Sequence, residues 1–318
     1  MLVTGASGFI GRAVVERLAA DRRYVVRAAL RRPVPDLVAA VEQCVVGDLD
    51  ATTDWRPALE GVHALVHTAA RVHVMHETHA DPLAAFRAIN VAGTLRLAQQ
   101  AADAGVRRFV FLSSLKVNGE STLPGHPFRE DDAPVPRDPY GVSKHEAEQA
   151  LLALARATPM EVVIVRPPLV YGPGVKANFA RLMRLVLRGM PLPFGAIDNR
   201  RTLVALDNLV DLVVTCIAHP AAANQIFLAG DAEDLSTTEL LRRLGRALGK
   251  PARLIPLPAP WIEIAAALAG QRAVAQRLCG SLQADIGKAA RVLGWKPPVA
   301  VDAALQATAD WLLSSANR

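Results

Sequence analysis

Tyr140 and Lys144 lie four residues apart and could move a proton together. On a helix, residues at positions i and i+4 share a face, so the phenol and the ammonium would be neighbours. A free tyrosine titrates near ~10, and a nearby positive charge favours its ionised form. We therefore predict that Tyr140 is a general acid/base and that Lys144 lowers its pKa toward the working pH.

A third polar side chain, Ser114, follows the apolar run 109–113. Such a run predicts a buried strand, and the carboxyl ends of strands line the ligand crevice of an open parallel sheet. We therefore predict that the Ser114 hydroxyl hydrogen-bonds the substrate oxygen that Tyr140 protonates or deprotonates. The alternative is that Ser114 only satisfies backbone groups at the end of the strand.

Three glycines at a spacing of three lie between a short strand-like run at the start of the chain and residues 12–20, which favour a helix. The first allows a tight turn, the second lets a pyrophosphate approach the backbone, and the third allows close packing of helix and strand. Amides at the start of the helix would face the phosphates. The residues predicted to hold a dinucleotide are Gly5, Ser7, Gly8, Phe9, Ile10 and Gly11, with Lys144 on the nicotinamide ribose.

The residues after the second predicted strand bear on the choice of dinucleotide. In proteins that bind NAD, an acidic residue at the end of the second strand binds the ribose diol. The predicted strand 24–30 ends without one. Arg31 and Arg32 follow instead and would suit the 2′-phosphate of NADP. The two arginines are equally compatible with an ordinary exposed loop, so the predicted cofactor is NADP or NAD.

Apolar strand-like runs alternate with helical stretches through the first half of the chain. The predicted strands are 24–30, 44–46, 64–68, 109–113 and 162–166, and the predicted helices are 81–104 and 139–157. Nearly continuous Val, Ile, Leu and Phe in the strands favour a parallel sheet covered on both faces. We predict an α/β fold: a Rossmann-like doubly wound parallel sheet with a smaller mixed α/β C-terminal substrate lobe.

The pattern changes after Arg166, where prolines and glycines interrupt the alternation. Beyond it we predict helices at 178–188 and 208–219 and a strand at 202–206. The predicted NAD(P)-binding Rossmann domain is 1–166, with 201–219 folded back onto it, and the smaller lobe comprises 167–200 and 220–318.

Composition limits the classes of partner. The chain has 318 residues, 51% of them hydrophobic, and a formal net charge of +6. Scattered arginines and only 5% aromatics favour anionic small molecules over nucleic acid. Three dispersed cysteines favour a reducing compartment, and no signal-peptide pattern opens the chain. The apolar stretch 254–270 is interrupted by prolines and a glutamate, so we expect a cytoplasmic protein with no membrane partner.

Taken together, these motifs make the chain similar to the extended short-chain dehydrogenase/reductase family, particularly its nucleotide-sugar epimerase and 4-reductase branch. The resemblance also rests on Gly47-Asp48-Leu49, Val66-His67-Thr68-Ala69-Ala70, Asn90-Val91-Ala92-Gly93-Thr94, residues 165–174, and Asp285-Ile286-Gly287-Lys288-Ala289 with Leu293-Gly294-Trp295. It implies that Asp48 contacts the adenine and that further cofactor-site residues are Leu49, Thr68, Ala69, Ala70, Asn90 and Pro167. It also implies a homodimer formed through the helices at 81–104 and 139–157.

The same resemblance implies a site for a nucleotide diphosphate. Asn178 with Phe179 matches a pair that opens a helix beside the diphosphate, and Arg201 stands where a family arginine holds it. An arginine suits this role because its planar fork donates two hydrogen bonds to phosphate oxygens. Arg277 is a further candidate. The alternatives are a helix cap for Asn178 and a solvated loop cation for Arg201.

The loop after Ser114 bears on the type of reaction. Dehydratases that resemble this family place an Asp-Glu pair there, whereas this chain has Leu115-Lys116, which disfavours dehydration. Lys116 and Asn118 are predicted to lie near the sugar and would favour an N-acetylated or 6-deoxy sugar, unless the loop points to solvent.

The remaining prediction is hydride transfer at C4 of a UDP-sugar. Reduction of a 4-keto-sugar is slightly preferred over 4-epimerisation because of Arg31 and Arg32. Two alternatives stay open: an extended short-chain reductase for a steroid, flavonoid or aldehyde, and a non-catalytic NADP-binding regulator. The regulator would be expected to have a damaged Ser-Tyr-Lys set, which is complete here.

Five of the eight histidines lie between residues 63 and 79, and three of them, His73, His76 and His79, are spaced by three. Such spacing on a helix can mimic a metal-binding face. No nearby side chain completes a plausible ligand set, so we expect no metal site. We predict that His73 and His76 line the loop above the sugar.

Overall fold

The computed structural model of the chain describes residues 1–72 and 81–316. The elements, in chain order, are β1 (Leu2–Thr4), α1 (Phe9–Ala19), β2 (Arg27–Leu30), β3 (Glu42–Val45), α2 (Arg56–Leu59), β4 (Ala64–His67), α3 (Pro82–Arg87), α4 (Thr94–Asp103), β5 (Arg108–Leu112), α5 (Pro139–Ala157), β6 (Glu161–Arg166), β7 (Leu169–Tyr171), α6 (Ala177–Leu187), β8 (Leu203–Ala205), α7 (Leu206–Ala218), β9 (Ile226–Leu228), α8 (Thr237–Ala247), α9 (Ala259–Leu268), α10 (Arg272–Cys279), α11 (Gly287–Leu293) and α12 (Val301–Ala316). A π-helical segment, Ala88–Gly93, joins α3 to α4. His73 and His76, the histidines predicted to line a loop, lie outside the described residues, as does His79.

Seven strands form one parallel sheet in the order β3-β2-β1-β4-β5-β6-β9. One hydrophobic cluster lies between the sheet and helices α1, α7 and α11. Another lies on the opposite face, against α4 and α5. Strand order reverses next to β1, as in doubly wound dinucleotide-binding folds. The predicted Rossmann-like fold is confirmed.

Side chains of β5 show how the central strands are covered on both faces. Phe109 and Phe111 belong to the cluster beside α4 and α5, whereas Val110 and Leu112 belong to the other. This alternation buries every residue of the strand, as expected of an inner strand of a parallel sheet. Strand β3 differs because it lies at the sheet edge, where most of its side chains are exposed.

Two strands lie elsewhere than the sequence predicted. β8 pairs with β7 in a separate two-stranded parallel sheet, although α7 does pack against α1 and the main sheet. The seventh strand of the main sheet is β9, which pairs with β6 and falls inside the segment assigned to the smaller lobe. β9 has only three residues, too few for a periodic signal. The division of the chain into two domains stays a prediction.

A third hydrophobic cluster lies in the C-terminal half. It joins side chains of α6, α8 and α12 to those of the small β7-β8 sheet. Across residues 1–72 and 81–316, every helix is too short or too polar to cross a bilayer.

Candidate active site

The glycine turn is packed tightly against the end of β4. Gly5 has a φ of 68°, and a Cβ there would lie 2.7 Å from the Ala69 nitrogen. A Cβ at Gly11 would overlap the Gly5 carbonyl oxygen and lie 2.6 Å from Thr68 Oγ1. Any side chain at these two positions would push α1 away from the sheet, so the turn requires glycine.

The start of α1 fits the phosphates of a dinucleotide. Ser7 and Gly8 are exposed, and no described side chain caps the helix or places an acid in its first turn. Unpaired amides at a helix start, together with the helix dipole, attract anions. Gly5, Ser7, Gly8 and Gly11 therefore form a cradle that fits the pyrophosphate of NAD or NADP.

The far end of this crevice carries the residues predicted for the adenine and its ribose. A cavity of about 270 Å³ is lined by Arg31, Arg32, Gly47 and Asp48. Arg31 Nη1 lies 3.8 Å from Asp48 Oδ1, and both side chains are highly exposed. The structure thus brings these predicted residues together. Leu49 instead packs on the π-helical segment, where a Cβ on Gly93 would lie 2.9 Å from its Cγ.

His67 forms a buried polar bridge below the turn. Its Nδ1 hydrogen-bonds Thr4 Oγ1 at 2.6 Å, and its Nε2 hydrogen-bonds Thr94 Oγ1 at 2.9 Å. Burial and the nearby Lys144 charge lower the pKa of His67 to about 3. The imidazole is therefore neutral and ties β1, β4 and α4 together under the cofactor crevice.

Tyr140 lies in the first turn of α5. Asp138 caps this helix by accepting a hydrogen bond of 2.7 Å from the Gly141 nitrogen. Burial and the Asp138 carboxylate raise the pKa of the Tyr140 phenol, and a hydrogen bond with Ser114 partly opposes them. The structure thus brings Ser114 and Tyr140 together, and their roles in catalysis stay a prediction. The direction of the pKa shift is opposite to the predicted one, because burial and the Asp138 carboxylate outweigh the hydrogen bond with Ser114.

Lys144 is fully enclosed one turn further along α5. Its Nζ donates to the Leu112 carbonyl at 2.8 Å and lies 4.4 Å from the centre of the Phe111 ring. Burial lowers the pKa of Lys144 to about 7, against the Glu148 carboxylate, which raises it. The ammonium is thus held at the end of β5, where the crevice begins.

Asn90 connects the crevice to the catalytic helix. It is buried in the π-helical segment and exchanges two hydrogen bonds with the backbone of Arg71, at 2.8 and 3.0 Å. Its Nδ2 also donates to Ser143 Oγ at 2.9 Å, and Ser143 Oγ donates to the Tyr140 carbonyl at 2.8 Å. Asn90 thus positions the chain after β4 and the start of α5. Its contact with the cofactor stays a prediction.

A buried ion pair behind α5 was missed by the sequence analysis. Arg166 bonds both carboxylate oxygens of Glu148, at 2.9 and 2.6 Å, and both side chains are at most 2% exposed. Ser113 Oγ donates to the same carboxylate. Glu148 lies four residues after Lys144, so its helical spacing was the signal available in the sequence.

Two predicted sugar contacts are placed differently. Asn118 is completely buried, accepts a 2.9 Å hydrogen bond from Arg166 and donates to the Arg129 carbonyl at 2.7 Å. The prediction that it faces the sugar is wrong, because these bonds turn its amide inward. Lys116 is ion-paired with Asp138 and lies 3.6 Å from Glu120, so it borders Tyr140 through the Asp138 cap.

The predicted diphosphate residues divide into two groups. Arg201 Nη1 donates to the Gly280 carbonyl at 2.9 Å, and its pKa is lowered by burial and then by the charge of Arg277. Arg201 thus contacts the residue that follows α10, the helix that carries Arg277, and the binding of a diphosphate by these two cations stays a prediction. Asn178 is exposed on α6, whereas the Phe179 ring is buried and stacks on Tyr171 with 5.4 Å between ring centres.

Comparison with known proteins agrees with this geometry. The sequence model of the NAD dependent epimerase/dehydratase family matches residues 1–230, and the chain belongs to this family. It is an enzyme of the extended short-chain dehydrogenase/reductase type, and the predicted cofactor class, NADP or NAD, is confirmed.

Individual relatives cover most or all of the chain. The chain is 49% identical to a UDP-glucose 4-epimerase of Vibrio cholerae over 319 residues, covering 100% of this chain and 97% of the relative. It is 26% identical to an N-acetyl-alpha-D-glucosaminyl-diphospho-ditrans,octacis-undecaprenol 4-epimerase of Escherichia coli O157:H7 over 262 residues, covering 82% and 76%. The solved structure of MoeE5 in complex with UDP-glucuronic acid and NAD is similar, with 28% identity, a TM-score of 0.78 and 99% coverage of both chains.

Proposed function

We propose that the protein is a 4-epimerase of a UDP-sugar. The observation that carries this proposal is the meeting of Ser114 and Tyr140 at the carboxyl end of β5, where Lys144 also lies. The 49% identical relative supports epimerisation rather than dehydration. Arg201 and Arg277 supply the paired cations for the diphosphate.

Each side chain has a separate task in this proposal. Bound NAD supplies the hydride acceptor and donor. Tyr140 removes the proton from the 4-hydroxyl as C4 is oxidised and returns a proton when C4 is reduced on the other face. Ser114 hydrogen-bonds the same oxygen, and Asn90 with Ser143 fixes the start of α5. Because burial raises the pKa of Tyr140, its ionised form would need a nearby positive charge, which the oxidised nicotinamide of a bound NAD would supply.

A one-way reduction of a 4-keto-sugar is the second candidate. The observation that favours it is the cavity lined by Arg31 and Arg32, which would suit a 2′-phosphate. A reductase consumes NADPH in each turnover, whereas an epimerase retains its dinucleotide.

A third candidate changes the carrier of the sugar rather than the reaction. The Escherichia coli relative is named for a sugar on a polyprenyl diphosphate. The exposed apolar helix α9 and the neighbouring α10, which carries Arg277, favour such a carrier. A UDP-sugar and a polyprenyl-diphosphate sugar share the diphosphate that Arg201 would bind.

Two further features are proposed from the family resemblance. The protein is a cytoplasmic homodimer, and α3, α4 and α5 form the contact between subunits. Light scattering of the purified protein measures this directly, since a monomeric mass would contradict the dimer.

The first test is mass spectrometry of the nucleotide released on denaturation, followed by assay with UDP-glucose. Retained NAD and formation of UDP-galactose support the epimerase, whereas an empty site that binds only NADPH supports the reductase.

Tyr140→Phe is expected to lose activity at least ~100-fold, the usual contribution of a general acid/base. Tyr24→Phe, outside the site, is the matched control. Full activity of Tyr140→Phe would contradict all three candidates, and indifference to Arg201→Ala would indicate a substrate without a diphosphate.

A further inference from the structure

Helix α9 exposes large apolar side chains along one face. Trp261, Ile264 and Leu268 are 64%, 53% and 87% exposed. Their spacing of three and four places them on one side of the helix, opposite Ile262, the one buried residue of α9. In a surface helix the face toward solvent normally carries polar residues, whereas the exposed face of α9 is apolar.

The apolar surface extends beyond α9. Ile255 and Leu257 before it, and Val274 on α10, are also exposed. Helices α9 and α10 pack against each other. We call residues 255–279 the apolar hairpin. Soluble monomers seldom expose a continuous apolar surface of this kind, and it usually marks an interaction site.

Basic residues lie before and within the apolar hairpin. Lys250 and Arg253 precede it, Arg272 and Arg277 lie on α10, and Glu263 is the one acidic residue between 250 and 277. Four cations and one acid give this segment a charge of +3 (4 − 1), half of the +6 of the whole chain. All four cations are exposed.

We propose that the apolar hairpin docks the protein on the surface of an anionic lipid bilayer. Trp261, Ile264 and Leu268 enter the headgroup region, and Lys250, Arg253 and Arg272 lie against lipid phosphates. Tryptophan and leucine beside arginine and lysine form the usual pattern of interfacial helices. Ten residues of helix extend about 15 Å, half of a hydrocarbon core, so α9 lies in the interface and does not span it. The sequence analysis expected no membrane partner because it found no spanning segment, and within residues 1–72 and 81–316 no helix could span a bilayer. Docking on the bilayer surface requires no such helix.

This docking also orients the proposed active site. Arg201 Nη1 donates to the carbonyl of Gly280, the residue that directly follows α10 at the end of the hairpin, so the diphosphate end of the crevice faces the bilayer. This second step rests on the proposed function, whereas docking itself does not.

The test is co-sedimentation with vesicles of phosphatidylcholine alone or with phosphatidylglycerol. Binding is expected with the anionic vesicles and is expected to weaken as salt rises. Leu268→Asp is expected to reduce the partition coefficient at least tenfold, and Arg272→Gln about fivefold, since each cation near an anionic surface contributes about 1 kcal/mol. Leu123→Asp is the matched control, because Leu123 is also highly exposed but lies outside the apolar hairpin.

Trp261 supplies a second readout. The other tryptophans, Trp55, Trp295 and Trp311, are buried or half-buried, so quenching by brominated lipid should come from Trp261 and disappear in Trp261→Phe. Absence of vesicle binding, or equal loss in Leu123→Asp, would overturn the proposal. So would a dimer that Leu268→Asp dissociates in solution, because a second copy would then cover the hairpin. Activity of the variants on a soluble UDP-sugar is read separately, so failure of docking and failure of the proposed reaction are distinguishable.

Discussion

Glu148 and Arg166 form the most enclosed ion pair near the catalytic side chains. A buried pair stabilises a fold little in itself, but removing one partner leaves an isolated buried charge. Glu148 also raises the pKa of Lys144. The pair therefore links packing behind α5 to the charge of a residue in the active site.

Glu148→Gln is expected to lower the free energy of unfolding by about 3 to 5 kcal/mol, because Arg166 keeps its charge without a counterion. Urea denaturation measures this. Glu146→Gln is the matched control on the same helix, because Glu146 pairs with Arg87 at the surface, where such pairs contribute about 0.2 to 1 kcal/mol. Equal effects of the two substitutions would show that the Arg166 charge does not depend on Glu148 for its stabilisation.

At the scale of elements, the contact between α1 and the end of β4 depends on Gly11. Gly11→Ala is expected to weaken NAD binding at least ~10-fold, because its Cβ would overlap the Gly5 carbonyl and displace the start of α1. Calorimetric titration with NAD measures the loss. Gly61→Ala is the control: its φ is 66° and its Cβ meets no described atom, so it should cost only about 1 kcal/mol of stability. Unchanged affinity of Gly11→Ala would remove the turn from the cofactor site.

Local spacing made part of this architecture predictable and left the rest hidden. The glycine turn and the helix of Tyr140 and Lys144 depend on residues a few positions apart, so the sequence displays them directly. Asn118 and Arg166 are 48 residues apart in the sequence, and no local sequence pattern predicts a hydrogen bond between them. β9 was missed for a related reason, since three residues become a strand only because β6 offers them an edge.

At the scale of the whole molecule, stability should depend on pH through His67. Its pKa is lowered from 6.5 to about 3 in the folded state, so between these values the unfolded chain binds a proton that the folded chain does not. The free energy of unfolding is therefore expected to fall as pH decreases below 6.5, by up to about 1.4 kcal/mol per pH unit for this one group. Denaturation of the protein and of His67→Gln at pH 5 and 7 measures the difference.

In His67→Gln, the part of the pH dependence that belongs to this residue should vanish. His126→Gln, at an exposed position, should leave the dependence unchanged. Identical curves for all three proteins would show that His67 takes up its proton without unfolding.

The position of β9 also has a consequence for synthesis on the ribosome. Ile164 pairs with Ile226, 62 residues later (226 − 164 = 62). Synthesis proceeds at about 5 to 20 residues per second, so the edge of β6 stays unpaired for roughly 3 to 12 s until β9 has been made. During that interval an apolar strand with unpaired backbone groups is open to other chains. The nascent protein is thus most exposed to aggregation, and most in need of a chaperone, after its nucleotide-binding motifs have already emerged.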